Sequence, residues 1–299
     1  MIEFGARSIT IFGFDIYYYA MIITSGIIVA MIVASLILKH KGIKSDIVLD
    51  YTIIVMPLAI IGSRLYFLLF PYSTVIDYYT VRYGERAAYD WFINQWEFSH
   101  VIDTRGGGLG VYGGVIVGYA VGWILTKVKR LNTTEMADTI MPAVMLAQSV
   151  GRWGNFINGE AHGVLITNPN MQWFPFGVYV DGSWYQATFF YESLCTLVGF
   201  LICVWLLRRK NYRNGWTVSF YGIYYGIVRL FIEGLRTDSL YLIIPDFINK
   251  RMINTNIRIS QAISIICICL GVIRLIVLYR KEIILLIKRI FGRKSELNA

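Results

Sequence analysis

The chain has 299 residues, of which 56% are hydrophobic and 16% charged, and its mean hydropathy is +0.55. A soluble domain carries about 25% charged residues, so this composition excludes an ordinary soluble globular fold. The formal net charge of +9 does not indicate a nucleic-acid partner. The basic residues gather in short loops and in the tail, as the positive-inside rule describes for membrane proteins.

Seven apolar segments predict an all-α integral membrane protein with about seven transmembrane helices, each of which needs about 20 residues to cross a bilayer. In chain order the segments cover residues 16–38, 48–70, about 107–126, about 136–150, 187–207, 216–232 and 259–278. The fourth segment is short and leads directly into a glycine-rich polar stretch. The connection at 71–105, rich in Tyr and Trp, is predicted to be a long interfacial loop.

Clusters of Lys and Arg follow the first, third, fifth and seventh segments. This alternation places the N-terminus outside and the C-terminus in the cytoplasm, with the other loops facing outward. We expect a single polytopic membrane domain over residues 1–299. The basic tail at 280–299 is expected to be cytoplasmic and could form an interfacial helix on anionic lipid.

Ionisable side chains inside apolar segments cost about 2.5–3.5 kcal/mol on insertion scales, so they are the first candidates for function. Those in or at the edge of such segments are Arg64, Asp138, Arg152, Glu160, Glu192, Arg229 and Glu233. Such groups either pair to hold helices together or line a site. For Arg64, Asp138 and Glu192 both interpretations stay open.

The stretch 225–236 carries Tyr225, Arg229 and Glu233 at intervals of four residues, which places them on one helix face. An isolated Arg229–Glu233 pair could simply stabilise the helix. A second arginine follows in the next turn at Arg236, which an isolated pair does not require. The pattern therefore favours a functional stripe.

The densest polar stretch runs from Gly151 to Gly163. Arg152 offers a planar fork of donors suited to phosphate, and Asn155 and Asn158 add neutral amides. The glycines would let a ligand approach the backbone closely. Arginines at membrane depth, surrounded by amides and carboxylates, suit the head group of an anionic phospholipid.

A second glycine-rich stretch, 105–114, opens the third apolar segment. Its glycines, including Gly108, Gly113 and Gly114, could pack against another helix or make room for a lipid head group. The stretch lacks the spacing and the preceding strand of a nucleotide-binding loop.

These stretches resemble, in the same order, motifs of the bacterial prolipoprotein diacylglyceryl transferases. The similar segments are residues 17–19, 62–66, 107–114, 151–160, 225–240 and 258–261. The resemblance implies seven spans with outward-facing arm and head elements. It also implies a multi-pass protein of the bacterial cytoplasmic (inner) membrane whose active site faces outward.

The activity that this resemblance implies is transfer of the diacylglyceryl group of phosphatidylglycerol to a cysteine thiol. That cysteine lies in the lipobox of a prelipoprotein, just after its signal peptide. A thioether forms and glycerol 1-phosphate leaves. The partners are therefore phosphatidylglycerol, the prelipoprotein signal peptide and membrane lipid. No cofactor and no metal are implied.

The resemblance also implies site residues. The expected catalytic residues are Arg152, Arg229 and Tyr112. The expected substrate-binding residues are Arg152, Tyr19, Asn155, Asn158, Glu160, Gly163, Tyr225, Glu233, Arg236, Gly108, Gly113 and Gly114. We assign Arg229 to the phosphate and Arg152 to a second clamp, because preorganised cations stabilise a departing anion. Glu233 would orient Arg229, and Asn155 and Glu160 would hold the glycerol hydroxyls.

Two positions depart from the family pattern. Tyr112 stands where many members carry His, and an unperturbed tyrosine with a pKa near 10 is a poor base at neutral pH, so the base is unassigned. Gln186-Ala187-Thr188 stands where His-Pro-Thr or His-Pro-Ser is usual. His162 is a substitute candidate, but an ordinary loop histidine is the favoured interpretation.

The alternatives are a CDP-alcohol phosphotransferase and a transporter or lipid-binding membrane protein without transferase activity. The first would need a cluster of metal-binding aspartates in a span, and the second often shows inverted repeats and broken helices. Neither pattern is present in the sequence. The cysteines Cys195, Cys203, Cys267 and Cys269 lie in apolar segments without metal-ligand spacing and are interpreted as packed or lipid-facing.

Overall fold

The computed structural model describes residues 2–5, 7–71, 73–96, 109–237 and 240–285. The helices in this part of the chain are α1 (Tyr18–His40), α2 (Asp46–Leu69), α3 (Ser73–Tyr83), α4 (Glu85–Asn94), α5 (Val111–Val128), α6 (Thr133–Asn158), α7 (Thr188–Leu207), α8 (Trp216–Leu235) and α9 (Ile259–Leu278). The strands are β1 (Ile2–Phe4), β2 (Ser8–Ile11), β3 (Phe14–Tyr17), β4 (Gly177–Val180), β5 (Ser183–Gln186), β6 (Tyr241–Asp246) and β7 (Arg251–Arg258).

Five of these helices, α1, α2, α5, α7 and α9, have the length and apolar composition of membrane spans. The fold is therefore mostly helical and of a multi-pass membrane type. Two further helices, α6 and α8, have 26 and 20 residues but lower mean hydropathy, because they carry the polar stretches noted above. The strands correct the all-α expectation in detail, since short hairpins stand where connections were predicted.

The two polar helices lie in the middle of the bundle. Helix α6 packs against α1, α7 and α8, and α8 packs against α6, α7 and α9. Apolar helices therefore flank the helices that carry ionisable groups. This is the arrangement that membrane proteins use to keep charged side chains away from lipid.

Helices α2 and α5 cross at very close range through glycines. A Cβ at Gly113 would lie 2.2 Å from the carbonyl oxygen of Gly62 and 2.3 Å from Cβ of Tyr66. A Cβ at Gly114 would lie 2.5 Å from Oγ of Ser63. Small residues allow this approach of two backbones. Helix packing, one of the two interpretations left open for Gly113 and Gly114, is thus their structural role.

The predicted end of the fourth span near residue 150 is wrong. Helix α6 continues through Gly151 and Gly154 to Asn158 and stops at Gly159, which adopts a left-handed φ of 70°. The glycines stay helical because α1 packs on them: a Cβ at Gly154 would lie 2.8 Å from the Tyr19 ring. The polar stretch is therefore mostly the last two turns of a helix and not a ligand-binding loop.

Two helices occupy residues 73–94 of the predicted long loop at 71–105, of which residues 97–105 lie outside the described part of the chain. Helices α3 and α4 pack together, and Ile76 and Ala88 form a small core with Ile243 of the β6–β7 hairpin. Ser73 Oγ accepts a hydrogen bond from the backbone N–H of Tyr241, 3.3 Å away. These elements form a satellite unit beside the bundle.

Short antiparallel sheets precede three of the helices: the β1–β3 sheet precedes α1, the β4–β5 hairpin precedes α7 and the β6–β7 hairpin precedes α9. Strand β2 pairs with β1 and β3, and β4 pairs with β5. The first span begins at Tyr18, two residues later than predicted, because Ile16 and Tyr17 belong to β3. Residues 280–285 are helical after a turn at Tyr279. The rest of the tail lies outside the described residues, so its form stays a prediction.

Candidate active site

A single carboxylate joins the three central helices. Glu192, in the second turn of α7, is 2% exposed. Its Oε1 accepts a hydrogen bond from Arg152 Nη2 of α6 at 2.6 Å, and its Oε2 accepts one from Arg229 Nη1 of α8 at 3.1 Å. The hydroxyl of Tyr225 donates to the same Oε1 at 3.3 Å. Glu192 therefore fixes the spacing and direction of the two arginines.

Arg229 has a second acidic partner. Its Nη2 lies 2.7 Å from Oε2 of Glu233, one turn further along α8, and the side chain of Glu233 is 1% exposed. The backbone carbonyl of Glu233 also accepts a hydrogen bond from Arg258 Nη1 at 3.0 Å. The predicted pairing of Glu233 with Arg229 is thus present, but Arg229 is shared between two carboxylates.

The cluster balances two cations against two anions in a buried setting. Burying an unpaired charge is costly, whereas a paired and hydrogen-bonded set is tolerated. Arg152 is the most accessible of the four charged side chains at 18% exposed, compared with 14% for Arg229. Each guanidinium has five N–H donors, so it can hold a carboxylate and still present donors to a phosphate.

Tyr112 reaches Arg229 through a serine. The Tyr112 hydroxyl donates to Oγ of Ser260, at the start of α9, at 2.7 Å. The same Oγ accepts a hydrogen bond from Arg229 Nη2 at 3.3 Å. The structure therefore brings Tyr112 to the arginine cluster as a hydrogen-bond donor at the end of a short chain.

Several other predicted residues line the same end of the bundle. Tyr19, 37% exposed, lies on Gly154 of α6 and within electrostatic reach of Arg152 and Glu160. Asn158 Nδ2 donates to Oε1 of Glu160 at 3.2 Å. These side chains form an exposed polar edge next to the buried arginines.

Gly163 and Arg236 are brought together by their backbones, which form an antiparallel bridge. The N–H of Gly163 also donates to the carbonyl of Gln186 at 2.8 Å. A Cβ at Gly163 would lie 2.8 Å from the side chains of Gln186 and Thr188. Gly163 thus lets the segment after α6 lie directly against the end of α8 and the start of α7.

Other candidates contact different partners. Asp138, fully buried, accepts hydrogen bonds from the backbone N–H groups of Gly215 at 2.5 Å and Val218 at 3.0 Å, so it caps the start of α8. The guanidinium of Arg64 lies over the Phe67 ring at 5.5 Å. His162 packs against the Tyr185 ring with centroids 4.2 Å apart. Gly108 lies outside the described residues.

Sequence reasoning left Glu192 undecided and did not single out Ser260. One signal was available for Glu192, because it is the only acidic residue in the apolar segment 187–207. Nothing comparable marked Ser260, whose part in the network depends on the approach of α9 to α8. Within the described residues, no group of three or more His, Cys, Asp or Glu side chains could hold a metal ion.

The helices and the site define a polytopic membrane protein whose central helices hold a buried network of arginines and carboxylates. The family model for prolipoprotein diacylglyceryl transferase matches residues 7–277 of the chain. The chain belongs to that family, which confirms the resemblance seen in the sequence motifs.

Bacterial relatives agree with this assignment. A protein of Finegoldia magna is 39% identical over 275 residues, which cover 92% of this chain and 96% of the relative. One from Clostridioides difficile is 38% identical over 91% of this chain and 95% of the relative. One from Streptococcus pneumoniae is 38% identical over 89% and 91%. All three are named phosphatidylglycerol–prolipoprotein diacylglyceryl transferase.

Proposed function

We propose that this chain is a phosphatidylglycerol–prolipoprotein diacylglyceryl transferase. It transfers the sn-1,2-diacylglyceryl group of phosphatidylglycerol to the lipobox cysteine of a prelipoprotein. Membership of the family and the names of its relatives support the reaction. The observation that carries the proposal is the buried carboxylate of Glu192, which holds Arg152 and Arg229 side by side.

The reaction forms one bond and breaks one. The cysteine thiol loses its proton to water, and its sulfur attacks the carbon of the diacylglyceryl group that bears the phosphate. The carbon–oxygen bond to that phosphate breaks, and glycerol 1-phosphate leaves with the electron pair. Negative charge grows on the departing phosphate, so fixed cations in a dry site stabilise the transition state more than the ground state.

The arginine network suits this task. We assign Arg229 to the departing phosphate and Arg152 to a second clamp on the same group. Glu192 and Glu233 keep the guanidinium groups oriented before the lipid arrives, which lowers the cost of arranging them during the reaction. Both carboxylates are acceptors only, so they leave the remaining arginine N–H donors for the phosphate.

We assign Tyr112 a positioning role through Ser260. A phenol with an unperturbed pKa near 10 is a poor base at neutral pH, and its hydroxyl already donates to Ser260. The Tyr112–Ser260 bond holds the serine oxygen where it accepts from Arg229. The field of the two arginines favours the thiolate form of an approaching cysteine.

The remaining predicted residues would bind the rest of the lipid. Asn155 and Glu160 would hold the hydroxyls of the glycerol head group at the exposed edge. Tyr19, Asn158, Gly163, Tyr225, Arg236, Gly108, Gly113 and Gly114 complete the proposed substrate-binding set. In this set Gly163, Gly113 and Gly114 act by allowing backbones and helices to approach closely.

We also propose the membrane arrangement. With α6 and α8 counted, seven helices span the bacterial cytoplasmic membrane as one domain over 1–299. Contacts between elements join the ends of α1, α5, α7 and α9 that carry basic residues. Lys41, after α1, is 3.9 Å from Glu135 of α6 and 5.5 Å from the centroid of the Tyr212 ring after α7. Lys129, after α5, is 2.6 Å from Asp50 of α2, and Arg274 of α9 is 3.0 Å from Thr134 of α6. The positive-inside rule supports placing this end, the C-terminus and the tail at 280–299 in the cytoplasm. The arginine network would then face outward.

A transfer assay tests the proposal. The purified chain is mixed with phosphatidylglycerol and a lipobox peptide, and the diacylglyceryl thioether is measured by mass spectrometry. We expect product, and none when the peptide cysteine is replaced by serine or the lipid by phosphatidylcholine. Absence of product from folded protein, under conditions in which the Finegoldia magna relative is active, would refute the proposal.

A further inference from the structure

A basic cavity lies at the end of the bundle opposite the arginine network. It has a volume of about 620 Å³ and lies where α7 ends and α8 begins. Its lining residues are Trp205, Leu206, Arg208, Arg209, Lys210, Asn211 and Trp216. Glu192 and Arg208 are sixteen residues apart along α7, about 24 Å at 1.5 Å per helical residue. The cavity is therefore separate from the proposed active site.

Most other basic side chains that contact neighbouring elements at this end of the bundle form ion pairs with carboxylates. Lys41 pairs with Glu135, Lys129 with Asp50 and Arg213 with Glu282. Among the described residues, no carboxylate lies within ion-pair distance of Arg208, Arg209 or Lys210, and none lines the cavity. Three adjacent exposed cations thus concentrate positive potential at one place.

One of these cations is already positioned. The guanidinium carbon of Arg209 lies 3.8 Å from the centroid of the Trp205 ring. Stacking on an aromatic face holds a guanidinium flat and leaves its in-plane N–H groups free for a phosphate. Trp205 is itself 53% exposed, at the end of a helix with the composition of a membrane span. Indole rings at this position favour the head-group level of a bilayer.

We propose that this cavity binds the phosphate of an anionic phospholipid, in the leaflet opposite the one that supplies the substrate. Arg208, Arg209 and Lys210 contact the phosphate, while Trp205, Leu206 and Trp216 contact the glycerol and the first acyl carbons. The apolar floor favours a lipid over a free phosphate ion. Basic pockets at the cytoplasmic ends of helices commonly bind such head groups.

The test uses a lipid that is anionic but is not the proposed substrate. The full chain is placed in phosphatidylcholine vesicles with increasing amounts of phosphatidylserine brominated on its acyl chains. Quenching of tryptophan fluorescence then reports binding of the brominated lipid. The quenching that is seen in the wild-type chain and lost in Trp205→Phe comes from lipid in the cavity. Brominated phosphatidylcholine serves as the neutral lipid control.

The triple variant Arg208→Gln/Arg209→Gln/Lys210→Gln should weaken the preference for phosphatidylserine at least about tenfold. The matched triple Lys39→Gln/Lys44→Gln/Arg130→Gln removes the same charge at the same end of the bundle, outside the cavity, and should leave the preference unchanged. Equal loss in both triples would overturn the site in favour of general surface attraction. Displacement of phosphatidylserine by inorganic phosphate alone would also overturn the lipid assignment.

The cavity and the proposed active site can be inactivated separately. Arg152→Gln should abolish diacylglyceryl transfer and leave the Trp205-dependent quenching intact. The cavity triple should retain the ability to form the thioether, because none of its residues belongs to the arginine network. If the cavity triple loses lipid binding and also has a lower unfolding temperature, Arg209→Gln alone is tested in its place. We expect this single variant to weaken the preference for phosphatidylserine as well.

Discussion

Glu192 Oε1 lies 2.6 Å from Arg152 Nη2, and this contact joins α7 to α6 inside the bundle. The two residues are 40 positions apart in the sequence. Because the other oxygen of Glu192 binds Arg229, a single carboxylate determines how far apart the two proposed phosphate ligands lie. The geometry of the site therefore depends on a residue that is not expected to touch the phosphate itself.

Glu192→Gln keeps the shape of the side chain but removes its charge. We expect kcat/KM for transfer to fall about a hundredfold, because two hydrogen bonds to charged groups are weakened. The matched control is Glu135→Gln, which removes an acid 31% exposed in a long 3.9 Å pair with Lys41 and should keep full activity. Wild-type turnover of Glu192→Gln would contradict the positioning role.

Arg229→Lys tests whether the planar fork matters or only the charge. Arg229 contacts Glu192, Glu233 and Ser260 through two nitrogens, and a lysine ammonium cannot reproduce that geometry. We expect at least about a hundredfold loss of kcat/KM, and complete loss in Arg229→Ala. The matched control is Arg274→Lys, which replaces an exposed arginine that donates to Thr134 at 3.0 Å and should leave kcat/KM unchanged. An active Arg229→Lys enzyme would show that charge alone is sufficient.

Tyr112→Phe separates a hydrogen-bonding role from a base. The loss of one hydrogen bond to Ser260 should lower kcat about three- to tenfold and leave the pH profile of kcat/KM unchanged. Ser260→Ala should give a similar loss, and the double variant should be less than additive, because both residues act on Arg229. Near-total loss of activity together with disappearance of the limb on which kcat/KM rises with pH would instead make Tyr112 the base.

The sequence predicted the class of fold and the residue types of the site better than their arrangement. Membrane spans could be found because their apolar runs are long. The polar stripe at 225–236 could be found because residues four apart lie on the same face of a helix. The continuation of α6 through Gly151 and Gly154 could not be predicted, since glycine disfavours helices. It depends on the fit of the Tyr19 ring against α6, which is a tertiary contact.

Individual residues also show that the sequence predicts residue types better than their arrangement. Glu192 was visible in the sequence as an acid in an apolar segment. Whether it only holds helices together or belongs to a site could be decided only from the positions of Arg152 and Arg229 on two other helices. Asp138 carried the same signal and proved to cap α8. Two buried acids with one sequence signature thus have different roles, because long-range packing decides which donors they meet.

The β6–β7 hairpin should respond to acid through Asp246. The pKa of Asp246 lies below its ordinary 3.8, mainly because the side chain and backbone N–H groups of Asn249 donate to the carboxylate. A lowered pKa means that the stabilisation is complete above pH 3.8 and is lost as the pH falls through the lower folded value. We expect hydrogen-exchange protection factors at Ile248 and Asn249 to be constant above that pH and to drop below it. In Asp246→Asn they should be low and independent of pH, and an acid response that persists there would assign the effect to another group.

Asp138→Ala should affect stability and not chemistry. Both oxygens of Asp138 accept backbone N–H groups at the start of α8, and the loss of such a cap costs about 1–2 kcal/mol. We expect a lower unfolding temperature in detergent, with KM and the turnover of the folded fraction unchanged, because Asp138 binds the start of α8 at Gly215, 14 residues before Arg229. Asp138→Asn, which keeps one acceptor oxygen, should recover part of the lost stability. A variant that unfolds at the wild-type temperature but loses transfer would place Asp138 in the catalytic machinery and contradict its assignment as a cap.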